Sequence, residues 1–276
     1  MKKLLFCYLL VAAYFVMASH AFAQNKAEPP ALVYAENSSQ LLHGDRVNVR
    51  DAANSKAKVI DNLAIGTAIK IVKQDEKLFT QNELTNYWYK VSYTKDGKTK
   101  EGYIWGGLIA VASRVEGLYI ISVGYNLTHK KGDKYGQVRL IKDGKELSFT
   151  NFESPMPWLT RPPEIEISAL KGFDGVDKLI TVVYNEPYCG GSNNQELIFW
   201  LPAKLMHVHS TSEGADAPVY ATEEVIFPDE EGGKANRLHI KQQSGEMTDE
   251  GNEIITSESD FWLIWNGVSL KRPNKN

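Results

Sequence analysis

The chain has 276 residues, 43% hydrophobic and 24% charged, with a formal net charge of −3. That length is enough for one or two packed cores at usual domain sizes. The near balance of 31 Lys+Arg against 34 Asp+Glu excludes the dense basic patch that nucleic-acid binding calls for.

The chain opens with Lys2 and Lys3, an apolar run from Leu4 to Met17, and the small-residue pattern Ala21-Phe22-Ala23 before Gln24. Basic, apolar and A-x-A in that order are the signature of a secretory signal peptide, with cleavage expected after Ala23. The apolar run is shorter than the roughly 20 residues that span a bilayer, and no later stretch is long enough, so the mature chain carries no integral membrane anchor. The expected location is the periplasm or the exterior. Cys7 falls inside the signal, which leaves Cys189 without a disulfide partner and gives stability to packed cores alone.

Residues 24–40 are polar, contain Pro29-Pro30 and lack periodicity, so they read as a flexible lead-in. Alternation of apolar and polar groups at period two then marks strands at Val47-Asn48-Val49-Arg50, at Ala68 to Val72 and at Trp88 to Tyr93. Lys95-Asp96-Gly97-Lys98 supplies a residue able to take positive φ. The chain returns at once as Lys100 to Trp105, making a hairpin.

Val47 to Arg50, Val59-Ile60, Ile65-Gly66-Thr67, Trp88-Tyr89-Lys90-Val91, and Gly102-Tyr103-Ile104-Trp105 with Leu108 follow one another in an order that resembles a bacterial SH3 (SH3b) domain over residues 41–111. Two connections depart from the family: Asp51-Ala52-Ala53-Asn54 replaces its usual turn, and Lys73 to Asn86 reads as an enlarged loop. The resemblance implies a small barrel that holds a peptide or sugar on aromatic faces. Its candidate ligand residues are Tyr87, Trp88, Tyr103, Trp105 and Arg50. Trp88 and Tyr103 also suit core or barrel-closing places, Trp88 the more so, whereas Tyr87 and Trp105 lie near loop ends.

Residues 112–276 match no family. Strands are expected at 117–123, 138–141, 165–167, 179–184, 196–201, 205–209, 224–227, 238–240 and 261–265, with a second Lys-Asp-Gly-Lys hairpin at 142–145. Short strands punctuated by Gly and Pro indicate a second antiparallel β domain, as a sandwich, barrel or partial propeller. No stretch reads as a helix of three turns, and the fold class is all-β. Charge divides unevenly: residues 41–111 hold 11 basic and 8 acidic side chains, net +3, and residues 112–276 hold 17 and 24, net −7.

Three features of the sequence bear on chemistry. Cys189 with His207 and His209 downstream could serve a cell-wall thiol hydrolase, since SH3b modules accompany papain-like peptidases, but Pro187-Tyr188-Cys189-Gly190-Gly191 lacks the helix-opening motif of that nucleophile. His207-x-His209 places two imidazoles on one strand face, yet zinc wants three or four protein ligands, so paired surface histidines are expected and no metal. Gly172-Phe173-Asp174-Gly175-Val176-Asp177 has too few aspartates for calcium and reads as an Asp-Gly turn. No catalytic residue and no cofactor is assigned. The expectation is a non-enzymatic envelope protein that binds cell-wall peptide or glycan, or a protein partner, through a basic aromatic groove. A structural or assembly role, with the SH3b surface docking protein, stands as the alternative.

Overall fold

The computed structural model describes residues 29–128, 135–153, 159–186, 192–202, 204–248, 250 and 252–273. The signal-peptide pattern and Cys189 lie outside the described residues. Eighteen strands and one 3₁₀ turn make up the regular structure among them, so the chain is all-β.

The first sheet holds β1 (Ser39–Leu41), β2 (Val47–Arg50), β3 (Val59–Leu63), β4 (Ala68–Gln81), β5 (Leu84–Lys95) and β6 (Lys98–Trp105), in the order β1-β4-β5-β6-β2-β3. It curls around Val47, Val49, Leu63, Ile69, Ile71, Tyr89, Val91 and Ile104, the inward members of the alternating runs. The β5–β6 hairpin turns on Asp96 and Gly97, both at positive φ (53° and 71°), the backbone that a two-residue turn matching strand twist demands.

Two expectations for this region are corrected. Residues 73–86 form a hairpin: β4 runs on to Gln81, the turn is Asn82-Glu83 at φ 49° and 65°, and β5 starts at Leu84. Register shifts at Ile71/Lys73 and Gln74/Leu78 break the alternation that would have revealed it. The described part of the lead-in, from Pro29, is docked. Leu32 and Tyr34 are buried, the Tyr34 hydroxyl donates to the Ile109 carbonyl at 3.0 Å, and its ring meets Tyr89 edge-on at 5.2 Å.

The second sheet is β7 (Ala112–Glu116), β8 (Tyr119–Tyr125), β9 (Gly136–Lys142) and β10 (Lys145–Phe152), ordered β10-β9-β8-β7. The third is an eight-stranded meander: β11 (Glu164–Ala169), β12 (Lys178–Glu186), β13 (Ser192–Leu201), β14 (Lys204–Asp216), β15 (Val219–Ile226), β16 (Arg237–Met247), β17 (Glu253–Trp265) and β18 (Leu270–Lys271). Alternate residues of β12 and β13 serve two cores. Ile180, Val182, Ile198 and Trp200 pack on Ile121, Val123, Val138 and Leu140 of the second sheet, whereas Leu179, Leu197 and Phe199 pack on Leu238, Ile240, Leu263 and Trp265 of the meander itself. A strand buried on both faces reads as a continuous apolar run, which is why Leu197-Ile198-Phe199-Trp200-Leu201 has no polar partner positions. The second half is thus a sheet stacked on a meander that coils back on itself.

The barrel is not a free bead. Trp88, Trp105 and Val111 belong to the same core as β8 and β9, Val111 donates to the Val123 carbonyl at 2.9 Å, and Arg139 Nη1 donates to the His43 carbonyl at 3.1 Å.

Candidate functional site

Directly paired residues in an antiparallel sheet share a face. Lys73 pairs with Lys90, Lys90 with Tyr103, and Tyr103 with Arg50, so β4, β5, β6 and β2 contribute one row across the outer face of the barrel. Gly102 makes the crossing of β6 over β2 possible: a Cβ there would stand 2.4 Å from Val49 Cγ1 and 3.0 Å from the Arg50 carbonyl oxygen. Beside the row, the chain between the two register shifts of β4 bulges outward. Residues 73–77, Lys90 and Tyr103 line a concavity of about 310 Å³.

The row is more polar than its lysines suggest. Lys90 Nζ lies 2.6 Å from Glu101 Oε2, and this hydrogen-bonded ion pair raises the Lys90 pKa. Arg50 Nη1 donates to the Ala57 carbonyl at 2.6 Å, so the guanidinium also holds the 51–58 loop. Tyr103 is half-buried, and its flank packs against the shared core. What remains for a ligand is a tyrosine edge, two lysines and part of an arginine.

The next row of the same face is Trp88 paired with Trp105. Both were candidate ligand residues, and both are buried, at 4% and 2% exposure. Trp105 Nε1 donates to the carbonyls of Phe79 at 3.0 Å and Asn86 at 3.2 Å, and the Phe79 ring meets Trp105 edge-on at 5.5 Å. The β4–β5 hairpin and the second sheet therefore cover the aromatic pair. A ligand-facing role for Trp105 is corrected to a core one, and Trp88 is core as well. Tyr87 lies two residues from Tyr89 on the opposite face and packs at the edge of the barrel core, so it joins neither row.

A second polar cluster gathers at the other end of the barrel. Asp61, whose side chain is 8% exposed, accepts from Lys95, from Lys100 at 3.1 Å and from the Tyr93 hydroxyl at 3.1 Å. The Lys95 ammonium leads in holding the Asp61 carboxyl well below the usual carboxylate range. Burial, helped by Asp61, pushes the Tyr93 phenol up to about 12. Every member is satisfied by another, so this cluster ties β3 to the β5–β6 hairpin.

In the meander, β14 carries one extra residue against β13: Leu197 pairs with His209, but Ile198 pairs with His207. The bulge at Val208 throws the two imidazoles onto opposite faces, which corrects the reading of a one-faced pair. His207 Nε2 meets Glu196 at 2.7 Å, a carboxylate that also accepts from the Ser210 hydroxyl at 2.6 Å and the Tyr184 hydroxyl at 2.7 Å. Glu196 is 1% exposed. His209 Nε2 bonds Glu223 on the other side. Because Nε2 of His207 faces both Glu196 and Ser210, no relay runs from carboxylate through the ring to the hydroxyl. Asp174, in the glycine-rich turn, exchanges two hydrogen bonds with Asn236 at 2.7 and 2.8 Å, and its carbonyl accepts from Trp265 Nε1 at 2.9 Å.

Among known families, the bacterial SH3 domain matches residues 45–110, the span that holds β2 to β6 and the whole outer row. Comparison with curated proteins and with solved structures returns no match.

Proposed function

We propose, from the premise that residues 45–110 are a bacterial SH3 domain, that this chain is a non-enzymatic binding protein of the bacterial envelope, whose barrel holds cell-wall peptide or glycan. The supporting observation is the outer row Lys73–Lys90–Tyr103–Arg50 beside the concavity walled by residues 73–77. An aromatic edge between cations suits an extended ligand bearing carboxylate and amide groups: the ring offers apolar area, and the ammonium and guanidinium groups offer charge-assisted donors. Export rests on the signal-peptide pattern of residues 1–23.

Purified sacculi sedimented with the intact protein provide the test. Wild type is expected to co-sediment less as salt rises, because Lys73 is exposed and Lys90 and Arg50 are half-exposed, so that salt screens their charges. Tyr103→Ala and Lys90→Ala are each expected to weaken retention by about ten-fold, in line with truncating one anchor of a small interface. Equal retention of wild type and both variants would remove the row as the site.

One observation favours a second reading, protein docking. The aromatic half of the same barrel face, Trp88 and Trp105, is already covered by protein, namely the β4–β5 hairpin and the second sheet. Co-purification of one stoichiometric envelope protein, lost in Tyr103→Ala and without sacculus binding, would select that reading.

A further inference from the structure

The outward bulge of β4 sets out charge in a pattern that narrows what the barrel face can hold. Between the pairs Gln74–Tyr89 and Leu78–Tyr87, β4 carries Asp75, Glu76 and Lys77 where β5 carries only Trp88. Three residues against one cannot all stay in the ladder, so the chain loops out and re-aims its side chains. Together with Lys73, Lys90 and Tyr103 they line the concavity of about 310 Å³.

Lys90 is committed to Glu101 at 2.6 Å. The other four charges of the concavity, on Lys73, Asp75, Glu76 and Lys77, form no ion pair among the described residues. The bulge itself holds one of them: Asp75 Oδ1 accepts the Lys77 N–H at 3.0 Å, a bond from side chain to main chain two residues on that ties the carboxylate to the turn and not to a lysine. Lys73, Glu76 and Lys77 are exposed, and Asp75 is half-exposed. Two ammonium and two carboxylate groups thus stand unmatched around one hollow, beside the Tyr103 ring. A ligand of a single sign would attract half of them and repel the other half, whereas a ligand with both signs is complementary to all four.

We infer that the concavity selects wall peptide over wall glycan, and in particular a peptide that carries a free side-chain ammonium together with a carboxylate. The carboxylate meets Lys73 and Lys77, the ammonium meets Asp75 and Glu76, and the chain between them lies along Tyr103. This selectivity rests on the wall-binding reading and narrows it. Sugar chains of a wall polymer offer hydroxyl, acetamido and carboxyl groups, whereas a cationic amine belongs to a dibasic residue of its peptides. Joining that amine to a neighbouring peptide converts it to an amide and removes its charge, as acylation of a lysine does. The site therefore tells peptides that are not cross-linked from those that are.

The test sediments the intact protein, at one fixed salt concentration, with sacculi before and after treatment with acetic anhydride in aqueous bicarbonate, which caps free amines as neutral amides. Capping leaves the wall more anionic, so attraction to exposed lysines alone would keep or raise retention. Retention is instead expected to fall by about ten-fold, the worth of one charge-assisted hydrogen bond. The Asp75→Asn/Glu76→Gln double variant keeps a side-chain oxygen for the Lys77 N–H. It is expected to bind untreated sacculi about ten-fold more weakly than wild type, with no further loss on capped sacculi. The soluble peptide Ala-γ-Glu-Lys-Ala is expected to displace wild type from untreated sacculi at about one-tenth the concentration needed of its Nε-acetyl form. Equal or greater retention on capped sacculi, or equal displacement by the two peptides, overturns the inference and leaves wall binding standing. Failure to sediment with either preparation removes wall binding and the inference with it.

Discussion

At the scale of single residues, His43 shows how the barrel and the second sheet are fitted. It is 1% exposed, its Nδ1 lies 2.8 Å from the Ser122 hydroxyl, and a Cβ on Gly124 would stand 2.4 Å from its ring. Gly124→Ala is therefore expected to cost about 1–3 kcal/mol by overpacking, read from denaturant midpoints. Burial first, and then the Arg139 charge, hold the His43 pKa well below its ordinary value. The folded state thus refuses a proton that the unfolded chain accepts below about pH 6.5. Stability from this group is complete above that pH and falls as pH drops, by up to about 1.4 kcal/mol per unit. Unfolding free energies between pH 5 and pH 7 are expected to slope more steeply in wild type than in His43→Gln; parallel curves would rule out His43 as the source.

Among the elements, turn chemistry and bulges decide where strands end and which way side chains face. The turns at Asp96-Gly97 and Asp143-Gly144 place glycine at φ 71° and 69°, and both were readable as Asp-Gly hairpins. The turn at Asn82-Glu83 was not, because Glu83 occupies a positive φ of 65° that a glutamate adopts at a cost of about 1–2 kcal/mol. Glu83→Gly is expected to raise the unfolding free energy by about 1 kcal/mol in denaturant titrations, without altering the strands. A loss of stability would mean that the Glu83 side chain supports the hairpin. The Val208 bulge is the same kind of lesson: one unpaired residue sends His207 to Glu196 and His209 to Glu223.

For the whole molecule, the shared core matters more than the division of the sequence. The outer face of the barrel has one covered half, Trp88 and Trp105, and one open half, the Lys73–Arg50 row. A fragment ending at Val111 would strip the second sheet's share of the cover from both tryptophans, at a cost of up to about 3 kcal/mol for each. It is expected to melt without the cooperative transition of the full chain in circular dichroism. An equally sharp and equally high melting transition in the fragment would show that the barrel is self-sufficient.

The all-β class, the SH3 domain and most strand positions were legible in the sequence, because period-two alternation, Asp-Gly turns and the ordered Val47-to-Leu108 motifs are local properties. Part of the candidate site was legible too: Tyr103 and Arg50 stand in the open row. Lys73 and Lys90 were missed, Lys73 because the register shift between Ile71 and Lys73 breaks the alternation that would have placed it on the outer face. Which tryptophans face solvent, where β4 continues past Lys73, and which way His207 and His209 point were decided only in three dimensions. Exposure is a property of what covers a face, and the residues covering Trp105 come from β4 and from strands after residue 111. Nothing near Trp105 in the chain encodes that cover; it arises from contacts distant in sequence.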